Sequence, residues 1–116
     1  MSQAQLVQRM ICSEARVDAH RLRTGNLRDE DWTRIAEAVQ RFWDANIYID
    51  DTTDMGPMEM RAKCRRLQAE ANLDLVIVDY LQLMRGSGRS NANRNEEITE
   101  ISRGLKNIAR EMQVPV

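Results

Sequence analysis

Asp79 closes a run of four apolar residues, Leu75, Val76, Ile77 and Val78, and leads through Tyr80-Leu81-Gln82-Leu83-Met84 into a stretch of Gly, Ser, Asn and Arg. A carboxylate fixed at the end of a rigid apolar strand suits a hard divalent cation, which prefers oxygen ligands. A strand-ending Asp also caps the following turn in many α/β proteins, so the pattern by itself leaves both roles open. Downstream, Arg85, Arg89 and Arg94, interleaved with Asn91 and Asn93, carry the chemistry to meet phosphate, because a guanidinium fork donates two hydrogen bonds at once. Gly86 and Gly88 would let backbone amides approach a ligand closely. A solvated loop with three Arg would present the same letters, so direct contact and plain solvation both stand.

The other candidates are weaker. Asp50 and Asp51 form a second carboxylate pair, for which a strand-end cap or turn is the simpler role. His20 is the one histidine, which excludes a multi-histidine metal site and reads as a surface helix residue. Cys12 and Cys64 lie 52 positions apart inside helical patterns. That is neither a disulfide framework nor a zinc spacing, and it fits a reducing, cytoplasmic setting. No segment approaches the ~20 apolar residues of a membrane span, and no signal peptide is visible. Net charge is −1, which removes any global electrostatic case for nucleic acid and confines such contact to local patches. Of the 17 cations only Lys63 and Lys106 are lysine. That bias suits phosphate, but base composition explains it as well.

The elements that must position these residues follow from local signals. Ser2 and Gln5 have the form of a capping box, and Leu6, Val7, Met10 and Ile11 predict a helix over 3–15. A short helix should start at Asp18 and stop at Gly25. Trp32, Ile35, Ala36, Val39 and Phe42 form an apolar stripe behind Asp29, Glu30 and Asp31, whose charge suits a helix N-terminus. The aromatic residues Trp32, Phe42 and Trp43 read as core and interface packing rather than stacking platforms, and the methionines as gap-filling core. Ile47 and Ile49 suggest a short strand, Gly56-Pro57 a helix start, and Met60, Cys64, Leu67 and Ala71 one buried face. Residues 75–78 read as a strand buried on both faces, 85–95 as loop, and Ile98, Ile101, Leu105, Ile108 and Met112 as a last helix before a strand begun by Val114-Pro115-Val116. Strand, helix, strand, helix, strand predicts an α/β fold with a parallel sheet, its ligand edge at the carboxyl end where Asp79 sits. A 116-residue chain is at most one domain.

Four apolar residues and then Asp is the Walker B pattern of phosphate-loop nucleotidases, in which the carboxylate holds magnesium, usually through water. The wording around it is more specific. "DYLQLM", the Gly/Ser/Arg/Asn loop and "RNEEITEISRGLKNIAREMQVPV" resemble the replicative DNA helicases of the DnaB type. Upstream, "MSQAQLVQRM", "GNLRDEDWTRIAEA" and "IYIDDT" resemble successive segments of the same family, so the resemblance covers all 116 residues in order.

That resemblance implies the central part of a C-terminal RecA-like ATPase domain, a RecA-like parallel sheet with flanking helices, incomplete at both ends. The family's GxxxxGK[ST] loop is expected before Met1 and does not occur in these residues. The family's water-activating Glu is expected immediately before Met1, and its γ-phosphate sensor and arginine finger beyond Val116. No catalytic residue is therefore expected within the chain, and the isolated chain is expected not to hydrolyse ATP. The resemblance implies Asp79 as ligand to Mg2+ on ATP, and Arg85, Gly86, Gly88, Arg89 and Arg94 in a loop that faces single-stranded DNA. The implied assembly is a homo-hexamer, moving 5′ to 3′ with primase in the primosome and with a helicase loader. A RecA-type repair or recombination ATPase, or a non-catalytic binding module, are the competing readings.

Overall fold

The computed structural model describes residues 1–86 and 93–116. The chain divides into two compact units, Met1–Asp51 and Thr52–Val116.

The first unit holds three helices: α1 (Gln3–Ala15), α2 (Ala19–Thr24) and α3 (Asp29–Trp43). Their ends form where the local chemistry places them. Ser2 accepts the Gln5 N–H while Gln5 reaches back to the Ser2 N–H at 3.1 Å, the reciprocal cap that satisfies two otherwise orphaned donors. Asp18 accepts the His20 N–H at 2.7 Å to start α2, and Gly25, at φ 71°, ends it in the left-handed region that glycine enters without a Cβ penalty. Ala15, Val17 and Ala38 form the buried centre, packed by Ile11, Leu27 and Ile35.

The α3 stripe is rotated from its expected position. Its inward line is Asp31, Ile35, Ala38 and Phe42, whereas Trp32, Val39 and Trp43 are exposed, Trp43 by 83%. Phe42 is half-buried, so only one of the three aromatic residues packs inward in this unit. The cause is polar. Asp31 Oδ2 accepts from Arg21 at 2.6 Å and from the Arg28 N–H at 3.0 Å, and both bonds hold this carboxylate in the interior. A buried charge needs such partners, and making them turns the helix.

The second unit packs α4 (Pro57–Glu70) on α5 (Arg94–Met112), with a 3₁₀ turn at Leu81–Leu83 against α5. Pro57 occupies the first turn of α4, where its missing N–H costs nothing. Met60, Cys64, Met84, Ile101, Ile108 and Met112 are buried, and Leu73, Val76, Val78 and Leu81 pack on them from the connecting segments.

The expected RecA-like α/β fold with a parallel sheet is not what the chain shows: among the described residues there is no strand. The three apolar segments expected to pair, around 47–49, 75–78 and 114–116, are extended or irregular. A sheet requires repeated inter-strand bonds. Here one backbone bond, Val76 N–H to the Pro115 carbonyl at 3.0 Å, joins two of these segments, and Pro115 has no N–H with which to extend a ladder. Burial on both faces also fails. Val76 and Val78 meet the core, while Leu75 and Ile77 are 55% and 79% exposed.

Candidate nucleotide-edge and phosphate-contact residues

Asp79 ends the extended segment that Val76 and Val78 anchor on the core. Its side chain is exposed and, among the described residues, makes no hydrogen bond or ion pair. Leu81 and Met84 then pin the chain to the core, with the Leu83 N–H on the Tyr80 carbonyl at 3.1 Å and the Met84 N–H on Leu81 at 3.0 Å. Asp79 is thus an accessible acceptor carried between two fixed points.

Beyond Met84, Arg85 donates its N–H to the Met55 carbonyl at 3.1 Å, and its guanidinium lies 3.4 Å from Asp54. Both charged groups are more than half exposed, so this pair contributes little to stability. Gly86 is buried, and its N–H donates to Glu97 Oε1 at 2.9 Å. A Cβ at Gly86 would lie 2.5 Å from Glu97 Cγ, so any other residue here would displace the Glu97 side chain. Asn93 caps α5 by accepting the Glu96 N–H at 3.0 Å. Arg94, the first residue of that helix, pairs with the other oxygen of Glu97 and donates to the Gln82 carbonyl at 2.5 Å. The Gly86 N–H, and then Arg94, hold the Glu97 carboxyl below the usual carboxylate range.

Arg85, Gly86 and Arg94 are therefore brought to one edge of the second unit, on the segment that leads away from Asp79. Gly88 and Arg89 lie outside the described residues. Glu97 is the member that sequence reasoning missed. Its signals were the spacing of three from Arg94 and its place one turn inside a capped helix, both of which are common on helix surfaces.

The remaining candidates take structural roles. Asp51 accepts the Gln3 N–H at 3.1 Å at the start of α1, and Asp50 is exposed with a partner of its own. His20 is exposed on α2, with Nδ1 3.2 Å from Arg23. Burial pushes both thiols up, at Cys12 with help from Asp18, so neither is primed as a thiolate. No helix among the described residues is long and apolar enough to cross a membrane.

A divalent ion held through water on a nucleotide needs one well-presented carboxylate, and Asp79 fits that demand. An all-protein metal cage does not fit: no group of three or more His, Cys, Asp or Glu among the described residues could hold an ion.

Comparison with known proteins supplies the context. The profile of the family described as DnaB-like helicase C terminal domain matches residues 1–116. The replicative DNA helicase DnaC of Bacillus subtilis is 53% identical over 116 residues, covering all of this chain and 26% of that protein. The replicative DNA helicase DnaB of Geobacillus stearothermophilus is 52% identical, again over all of this chain and 26% of the relative. The chain thus spans about a quarter of the length of these relatives. Among solved structures, a DnaB-like replicative helicase described with its interactions with primase superposes with a TM-score of 0.89 at 28% identity, over all of this chain and 28% of that one. A second solved structure, described as an ATPase domain, gives 0.90 at 28% identity, over all of this chain and 42% of that one.

Proposed function

The chain belongs to the DnaB-like helicase C-terminal domain family, and on that premise we propose that it is the central part of the ATP-driven motor of a replicative DNA helicase. The observation that carries the reading is the match of all 116 residues, in order and at 53% identity, to a replicative helicase. In this reading Asp79 holds Mg2+ through water on the phosphates of ATP, where the cation offsets the charge of the phosphate oxygens. The exposure of Asp79 and its freedom from other partners among the described residues support that role.

In this reading Arg85 and Arg94 face DNA, Gly86 supports them through its bond to Glu97, and Gly88 and Arg89, outside the described residues, belong to the same proposed contact set. Met84 in the core, the Gly86 N–H on Glu97 and Arg94 on the Gln82 carbonyl link the segment after Asp79 to the head of α5. The intact protein works as a homo-hexamer moving 5′ to 3′ on single-stranded DNA in the cytoplasm. Primase is its partner, as it is for the DnaB-like helicase of known structure, and a helicase loader is a further one.

The test is strand displacement by the full-length protein with ATP and Mg2+, on forks whose single-stranded tail is 5′ or 3′. Unwinding that requires a 5′ tail and ATP is expected. Single-strand-independent ATP turnover without unwinding of either fork would overturn the reading.

A further inference from the structure

The edge just described contains a contradiction that its geometry resolves. Arg94 is placed to meet phosphate, yet its charge is already matched. One terminal nitrogen of the guanidinium donates to Glu97 Oε2 and the other to the Gln82 carbonyl. Glu97 in turn is seated firmly. Its second oxygen takes the Gly86 N–H at 2.9 Å, and its stem lies where a Cβ on residue 86 would have to be. The Arg94 and Glu97 side chains remain 49% and 29% exposed, so an incoming anion can reach the pair.

We propose that Glu97 is a positioning residue that stores Arg94 in an internal ion pair, which single-stranded nucleic acid must open before Arg94 engages a phosphate. The inference rests on the reading of Arg94 as a phosphate contact given above. The exchange is chemically balanced: one charge-assisted pair is traded for another, while Glu97 keeps its bond to Gly86 and does not drift. Gly86 and Gln82 hold the two ends of the store, because the backbone carbonyl at 82 and the backbone N–H at 86 both belong to the chain that follows Asp79. A shift of residues 82–86 relative to α5 would therefore change how tightly Arg94 is held. That makes Arg94 availability sensitive to the nucleotide end.

Glu97→Gln isolates the idea, since the amide keeps one oxygen for the Gly86 N–H and turns a donor toward Arg94. The experiment is a double-mutant cycle in the full-length protein: wild type, Glu97→Gln, Arg94→Ala and both, with binding of a poly-dT oligonucleotide measured across a salt series. Glu97→Gln is expected to tighten binding about two- to fivefold, the range in which exposed ion pairs are worth opening. The log–log salt slope should stay close to wild type, because Arg94 reaches the phosphate in both proteins and only the cost of opening the pair is removed. With Arg94→Ala in place, Glu97→Gln should give no gain. An equal gain in both backgrounds would show that Glu97 acts only as bulk negative charge, and would overturn the proposal. No gain from Glu97→Gln, with Arg94→Ala alone weakening binding, would also overturn it, because Arg94 would then already be on the phosphate. Wild-type protein that fails to bind poly-dT at low salt would overturn the functional reading itself, an outcome separate from the other two.

Discussion

Gly104 lies in the interior of α5, where its substitution by Ala ought to be favourable on local grounds. In an exposed helix interior Gly→Ala gains about 0.8–1.0 kcal/mol. Here the added Cβ would stand 2.7 Å from Pro57 Cβ and 3.0 Å from Pro57 Cγ. Proline has no rotamer by which to withdraw, and Pro57 is fixed at the first turn of α4. The α4 and α5 backbones must separate, and overpacking of that kind costs about 1–3 kcal/mol. The net expectation is a loss of about 0–2 kcal/mol, and at the middle of that range amide hydrogen exchange at Ile101, Leu105 and Ile108 should report roughly fivefold weaker protection. Pro57→Gly removes both ring atoms concerned. In that background Gly104→Ala should regain its helical advantage, giving a coupling of opposite sign to the single change. If Gly104→Ala alone strengthened protection, α4 and α5 would not meet closely at this point, and the support for Arg94 at the head of α5 would need another source.

Asp31→Ala should destabilise the first unit by about 1–3 kcal/mol, since it leaves Arg21 without its carboxylate and the Arg28 N–H without an acceptor; urea unfolding of the protein measures it. For pH, the depressed carboxyls are Glu97, through the Gly86 N–H and Arg94, and Glu111, through Arg61 and then Arg65. Their stabilisation is present above the ordinary carboxylate pKa and is lost as pH falls through their lowered folded values. Acid should therefore loosen α5 at both ends, and Glu97→Gln with Glu111→Gln should flatten a thermal-midpoint profile below about pH 5. Replacing Arg85, Arg89 and Arg94 together by Ala should weaken single-stranded DNA binding and make its salt slope shallower by about 0.7 per lost contact. Basal ATP turnover should survive that change.

The parts of the fold that were legible are those written in neighbouring residues. The Ser2–Gln5 box, the Asp18 start and Gly25 stop, and the Gly56-Pro57 break mark helix ends because capping acts within a few positions along the chain. The lack of a sheet among the described residues was not legible, since pairing depends on partners far away in sequence. The apolar run at 75–78 carries no sign that Leu75 and Ile77 would face outward. The turn of α3 was missed for a related reason: Arg21, ten positions upstream, pulls Asp31 inward and carries Trp32 and Trp43 to the surface. At the site, Asp79 was singled out by its place after four apolar residues, and its nucleotide role by resemblance. The Glu97 contacts were not legible, because Gly86 and Glu97 stand eleven positions apart and meet only in the folded chain.

The central claim is that Asp79 serves the nucleotide, and steady-state ATP turnover by full-length protein carrying Asp79→Asn tests it most directly. The change is nearly isosteric at an exposed side chain, so helix content and thermal midpoint should match wild type. Removing the charge that holds the cation should lower turnover by at least ~10²-fold. Turnover within about twofold of wild type, in protein of unchanged stability, would contradict the account.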